Sequence, residues 1–345
     1  MFDGLLKRLL PLLQLTRMAL VFTAIADSYA TALMLRHCSG WENIYSDIEP
    51  DKHPDPLEAR LMLAIAATSI GLYGFGMSLN DIADRRRDRQ IAAHRPLPSG
   101  RVGVVTAHGL MLVLIFGALA AAAYYSHVVG EWKCLLFALW TAAMIAFYDL
   151  AGKFLVAPGL IALGLIRFFH CLIPAPMVPV LWHPLFLLNH VTILSAVCYH
   201  WEEKRPPLTR IHWIIVLGGL ALVDALVIGL LAMRRGWANI VLVDDAMMPW
   251  PIIPPIVTIF VFLGLAWYIR RRAKTRREAG QTLMLFGLLW LIVYDAAFVG
   301  AYAGWQEAVL LLLLFPLAYF SVQLMRWWSQ VLSLSQRPVF KRART

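Results

Sequence analysis

Charge is scarce in this chain. Only 15% of its 345 residues are Asp, Glu, Lys or Arg, whereas 60% are hydrophobic. A soluble domain has about 25% charged and about 45–50% apolar residues, so a water-soluble enzyme of this length is excluded. Intrinsic disorder is excluded too, because it requires low hydrophobicity. Cysteine is sparse: Cys38, Cys134, Cys171 and Cys198 are the four, and no two stand in a CxxC-type spacing. That argues against a disulfide scaffold or a zinc site. Acidic residues are the rarer sign, 21 against 31 basic ones, for a net charge of +10. The basic residues flank apolar runs, so they read as topology signals and headgroup contacts and not as a nucleic-acid surface. The expected partner is the lipid bilayer; no nucleic acid is expected. Internal repeats, low-complexity tracts and a separate soluble domain are also missing.

What remains is a chain of mean hydropathy +0.66 built from long apolar runs. Stretches close to the roughly 20 residues that cross a bilayer fall at 15–36, 60–82, 103–126, 131–148, 155–175, 183–200, 211–232, 251–270, 281–301 and 306–326. The expected fold class is all-α, a polytopic bundle of nine to ten transmembrane helices in one domain over 1–345, with a basic tail from about 328. The first run follows Lys7, Arg8 and Arg17 and lacks a clear small-residue cleavage site, so it reads as a retained span. Placing both termini in the cytoplasm collects Lys7, Arg8, Arg17, the arginines from Arg85 to Arg101, Lys153, Lys204, Arg205, Arg210, the basic run 270–277 and the basic tail inside. Only Arg36, Lys52, Arg60, Lys133, Arg234 and Arg235 fall outside, which is the bias that sets orientation. The loop after the first run is acidic and Pro-containing, as suits a solvated exterior face.

The most informative stretch is Asn80-Asp81-Ile82-Ala83-Asp84-Arg85-Arg86-Arg87-Asp88-Arg89, at the inner end of the second run. On a helix, Asn80, Asp84, Asp88 and Asp81 fall within one arc of about 100°. Carboxylates that converge near lipid repel one another and desolvate poorly. A divalent cation removes the conflict, and Mg²⁺ typically takes one or two carboxylates together with water and phosphate oxygens. The competing reading is a solvated, salt-bridged helix end, since Asp and Arg alternate here.

Six residues after Asp88 comes His94-Arg95-Pro96-Leu97-Pro98-Ser99-Gly100-Arg101. The segment from Asn80 through this loop resembles the first signature of the UbiA-type intramembrane prenyltransferases, N-x-x-x-D-x-x-x-D on a helix end followed by an R-P-L-P-S-G-like loop. The run at 15–30 is similar to the first helix of one family branch, with Ala19 or Leu20 where that branch has Asn. Tyr148 and Lys153 resemble the Tyr and Lys that follow the family's fourth helix, and Arg167 lies in a segment similar to its fifth. Similarity extends over roughly residues 15–215, and the last third matches in hydropathy alone.

The resemblance implies a bundle of about nine helices around a lipid-facing cavity, in an inner or plasma membrane. It implies Mg²⁺-dependent transfer of an isoprenyl group from a polyprenyl diphosphate to an aromatic or other lipophilic acceptor. Asn80, Asp84 and Asp88 would hold Mg²⁺, with Asp81 as auxiliary and Arg95 beside the diphosphate. Lys153 would touch the diphosphate and Tyr148 would face the allylic carbon. Arg167, costly inside a span without a partner, would pair with Asp27 or the diphosphate. Asp224 and Asp295 also fall within spans, where proton-linked and packing roles compete.

The chain departs from the family at the second acidic motif, normally D-x-x-x-D on the sixth helix. Here the segment reads Tyr199-His200-Trp201-Glu202-Glu203-Lys204-Arg205-Pro206-Pro207. Glu202 and Glu203 are adjacent, so they point about 100° apart, and the positions four residues on are prolines, which stop the helix. Three readings stand. Glu202 or Glu203 holds a second Mg²⁺ with help from Lys204, Arg205 or His200; or cations replace one metal; or the protein binds or moves an isoprenoid lipid without catalysis.

Overall fold

The computed structural model describes residues 11–37, 55, 58–93, 95–178, 180–237 and 251–335; His94, most of the acidic outer loop and the end of the basic tail lie outside them. The described chain is helical, with no strand. In chain order the helices are α1 (Val21–His37), α2 (Ala59–Ala83), α3 (Arg85–Ile91), α4 (Val104–Val129), α5 (Lys133–Leu150) and α6 (Val156–Cys171). They continue with α7 (Trp182–Trp201), α8 (Arg210–Arg235), α9 (Ile253–Arg272), α10 (Arg276–Tyr302), α11 (Trp305–Leu312) and α12 (Leu314–Ser335). A bilayer offers the backbone no hydrogen-bond partners, so helices that satisfy their own amides are the solution open to such apolar runs.

The helix ends follow from short polar signals. Gly130, at φ 77, closes α4 by returning its N–H to the Ser126 carbonyl, a left-handed cap that glycine adopts without Cβ strain. Thr209 and His212 form a reciprocal cap on α8. Thr275 accepts the Glu278 N–H at 3.1 Å to start α10, and the Glu278 carboxylate accepts from Lys274 N–H at 3.0 Å.

Among the described residues, eight helical units are long and apolar enough to cross a membrane. They correspond to eight of the ten apolar runs. The other two runs are also helices: α6 is apolar but has 16 residues, about 24 Å at 1.5 Å per residue, and α7 carries His183, Asn189, His190 and His200. The last run is interrupted at Leu313, between α11 and α12. α1, α2 and α10 are the most enclosed spans, while α4, α5, α8 and α9 lie outside them. The outer helices turn Val113, Phe116, Ile214 and Phe260 to the surroundings. In water such exposure would be an aggregation liability; here it is the lipid-facing coat of a multi-pass membrane protein.

Small residues let the inner helices approach closely, as they do where packing and not hydrophobic exclusion drives association. A Cβ on Gly71 of α2 would fall 2.6 Å from the Leu114 carbonyl of α4. One on Gly164 of α6 would overlap Thr192 Oγ1 and lie 2.6 Å from the Leu188 carbonyl, both on α7. Gly117 on the outer face meets nothing within 4 Å. Gly164→Ala should therefore cost about 1–3 kcal/mol through overpacking, read as a lower thermal midpoint in detergent, whereas Gly117→Ala should melt like the parent protein or slightly higher.

Candidate functional site

The acidic stretch sits where α2 ends. Asp84, at φ −84 and ψ 0, is the junction between α2 and α3. The helical hydrogen bonds nevertheless run through it: Asp84 N–H donates to the Asn80 carbonyl at 2.9 Å and Asp88 N–H to the Asp84 carbonyl at 2.8 Å. Asn80, Asp84 and Asp88 consequently stay on one face, a turn apart.

Cations from distant parts of the chain meet this face. Lys153 lies in a one-turn helix, Gly152–Phe154, that follows α5. Its ammonium is 2.8 Å from Asp84 Oδ1 and donates to Asn80 Oδ1 at 3.4 Å. The room for this comes from Gly159 on α6, where a Cβ would overlap the Gly152 carbonyl. Arg95 Nη1 is 2.6 Å from Asp88 Oδ2 and 3.8 Å from Asp81 Oδ1, and Arg17 Nη2 is 3.6 Å from the same Asp81 oxygen. Arg95 is aimed by a compact loop in which Ser99 N–H returns to the Arg95 carbonyl at 3.0 Å and Val102 N–H to the Pro96 carbonyl at 3.1 Å. Leu97 and Val102 anchor that loop against Leu15 and Ala107.

A cavity of about 310 Å³ opens beside this cluster. Its polar end holds Arg17, Asn80, Tyr148 and Asp149, and its walls are apolar, among them Leu72, Ile145, Leu163, Ile166, Met284 and Leu288. Arg167 and His170 also line it. Arg167 stands eleven residues into α6 from Val156, about 16 Å along the axis. Its guanidinium is 2.6 Å from Asp27 Oδ2 and donates to Thr23 Oγ1 at 2.9 Å, which satisfies the cost of a charge inside a span. Two further intramembrane carboxylates are paired as well. Asp295 is 2.7 Å from His183 Nε2, both fully buried, and Asp224 accepts from Asn189 at 2.9 Å.

The second acidic segment lies apart from the cavity. α7 ends in a Schellman-type turn: Glu203 N–H bonds to the His200 carbonyl at 3.2 Å and Lys204 N–H to the Tyr199 carbonyl at 3.3 Å. The turn puts Glu203 at φ 52, where glycine is the usual residue. Glu202 packs against Gly280 of α10 and pairs with Lys204 at 3.3 Å. His200, Glu203, Lys204 and Arg205 are exposed. None of Glu202, Glu203, Lys204 and Arg205 lines the cavity. Ser195, on the same face of α7 two turns earlier, does, which leaves Glu202 about 10 Å beyond it along the helix.

The structure thus gathers Asn80, Asp81, Asp84, Asp88, Arg95 and Lys153 at one end of the bundle, with Tyr148 and Arg167 on the cavity wall, and leaves the 202–205 segment outside. Sequence reasoning counted Arg17 as a flanking charge and gave Asp149, His170 and Tyr73 no role, yet all four line the cavity. The available signal was a charge or imidazole set within an apolar run. No group of three or more His, Cys, Asp or Glu among the described residues is arranged to hold a metal unaided. The donor chemistry still suits Mg²⁺, which needs one or two carboxylates when phosphate and water supply the rest. Asn80 and Asp84 offer two hard oxygens to one ammonium and can offer them to one such ion.

Fold and site together define an all-α, multi-pass membrane protein with an apolar-walled cavity under a cluster of paired charges. Residues 49–177 match the model of the UbiA prenyltransferase family. A structure described as giving insight into digeranylgeranylglyceryl phosphate synthase in membranes aligns with a TM-score of 0.57 at 17% identity, covering 86% of this chain and 99% of that one. A UbiA homologue from Archaeoglobus fulgidus aligns with a TM-score of 0.50 at 14% identity, covering 84% and 99%. No curated protein matches the sequence. Residues 49–177 are thus similar to the UbiA prenyltransferase family, and the bundle shares the fold of these solved structures. The family match ends before α7, so the divergent second acidic segment falls beyond it.

Two variants probe the charged end. Arg95→Gln leaves the buried Asp88 carboxylate without its cation and should cost about 1–3 kcal/mol; adding Asp88→Asn should recover part of that in a double-mutant cycle of thermal midpoints. Glu203→Gly relieves a left-handed residue and should stabilise the fold by about 1 kcal/mol, read as a raised midpoint in detergent.

Proposed function

We propose that the protein transfers an isoprenyl group from a polyprenyl diphosphate to an aromatic or other small lipophilic acceptor within the membrane. The observation that carries this reading is the convergence of Asn80 and Asp84 on Lys153 at the head of an apolar-walled cavity. Anionic head and greasy tail would each find a matching surface there. The orientation follows from the bias of basic residues, which puts the charged end and both termini on the cytoplasmic side of an inner or plasma membrane. The chain would act as a single domain over 1–345.

Lys153 binds a diphosphate oxygen, releasing Asp84 and Asn80 toward a metal. Asp88 and Asp81 keep Arg95 and Arg17 at the rim, where the two guanidiniums attract the anionic head. Mg²⁺, held by Asn80, Asp84 and Asp88, would supply charge neutralisation to the leaving group. The allylic carbon–oxygen bond breaks with its electron pair going to the diphosphate. The Tyr148 ring faces the positive charge that develops on carbon. The apolar walls hold the tail and exclude water, so the acceptor's nucleophilic atom forms the new bond and the acceptor releases a proton. Arg167, held by Asp27, orients the acceptor end of the cavity. Lys204 and Arg205, exposed beyond α7, draw the substrate by their charge, and Glu202 or Glu203 would hold a second metal only after the turn at 202–204 rearranges.

A second reading, an isoprenoid-lipid binding or transport protein without catalysis, is favoured by one observation: Asp84 and Asp88 are each already held by a side-chain cation. Purified protein in nanodiscs with radiolabelled polyprenyl diphosphate, Mg²⁺ and a membrane lipid extract separates the two. Labelled prenylated lipid is expected, falling at least about 100-fold for Asp84→Asn and vanishing with EDTA. Binding of labelled diphosphate without any product would favour the second reading.

A further inference from the structure

Asp149 is the one carboxylate of the cavity with no partner. It sits in the last turn of α5, is 3% exposed, and lines the cavity next to Tyr148 and Asn80. Among the described residues it makes no hydrogen bond and no ion pair; the charged groups that act on it are Lys153, Asp84, Arg17 and Asp81. The two cations in that set are already engaged, Lys153 by Asp84 and Arg17 by Asp81. The C-terminal end of a helix is also its negative end, which disfavours a further negative charge there. An ionised group buried this way is costly without compensation. A prenyl diphosphate entering the same cavity would add to the repulsion, unless a divalent cation came between them.

We propose that Asp149 is a metal-holding residue of this cavity, binding a divalent cation that bridges it to the substrate diphosphate. The inference rests on the prenyl-diphosphate reading above and adds to it a ligand outside the 80–88 segment. It gives the cavity wall a carboxylate on α5 to act with Asn80 of α2, where the 202–203 pair contributes none. Mg²⁺ then has side-chain oxygen from two helices, with diphosphate and water filling the remaining positions.

The test uses the full chain in nanodiscs with Mn²⁺, whose free ion is counted by its paramagnetic resonance signal, and a prenyl thiolodiphosphate that resists ionisation. The parent protein should take up Mn²⁺ in the presence of the analogue. Asp149→Asn, which keeps the volume, should weaken that uptake about tenfold or more, and Asp149→Glu, which keeps the charge, should recover most of it. Mn²⁺ affinity of Asp149→Asn within about twofold of the parent would overturn the inference, even if prenyl transfer were lost. Equal weakening in both variants would mark a packing role and overturn it as well. Failure of the parent protein to take up Mn²⁺ with the analogue would overturn the prenyl-diphosphate reading and this inference together.

Discussion

Charge at the end of an apolar bundle must be neutralised locally, and the site depends on how this chain does it. Two linked sets of ion pairs close one end of the cavity: Lys153 with Asp84 and Asn80, and Arg95 and Arg17 with Asp81 and Asp88. They tie together the segment before α1, the α2–α3 junction, the Pro-rich loop and the turn after α5. Removing one member leaves an opposite charge uncompensated at a low-dielectric boundary, so these contacts position the segments as well as decorating them. The same pairs make the site responsive. An anion that took Lys153 would free two oxygens for a cation, so binding of one would favour binding of the other.

The interior repeats this rule at greater depth. Arg167 is neutralised by Asp27, and Asp295 is matched with His183. These pairs join α6 to α1 and α10 to α7, and close packing at Gly164 seats α6 against α7. The bundle thereby keeps a polar spine in register while its outer helices present mainly apolar surface to lipid.

Much of this architecture was legible in the sequence because runs of apolar residues have few alternatives in a membrane. The helix from Ala59 to Ala83 and the Asn80–Asp84–Asp88 face follow from pattern and periodicity alone. The break of the last run at Leu313 is marked by Pro316, which denies the Leu312 carbonyl its N–H partner, but a proline inside an apolar run does not by itself tell whether the helix kinks or stops. Pairings such as Lys153 with Asp84 depend on helices distant in sequence being adjacent in space. Asp149 and Arg17 were hidden for the same reason: a charge at the end of an apolar run reads as a flank until its surroundings are known. The prolines at 206 and 207 did signal that α7 stops near Glu202, but not that the stop leaves Glu203 in a left-handed turn and out of the cavity.

The central claim is that the face of Asn80 and Asp84 grips a metal-bound diphosphate whose tail lies along the wall formed by Leu72, Ile145 and Leu163. An experimental structure with Mn²⁺ and a prenyl thiolodiphosphate, with anomalous scattering to locate the metal, tests it most directly. The expected map has a manganese peak between Asn80 and Asp84, with Lys153 turned to the diphosphate and the chain in the cavity beneath. A peak elsewhere, or a tail seated in the separate apolar cavity of about 500 Å³ between Phe186, Ile228 and Phe262, would contradict it.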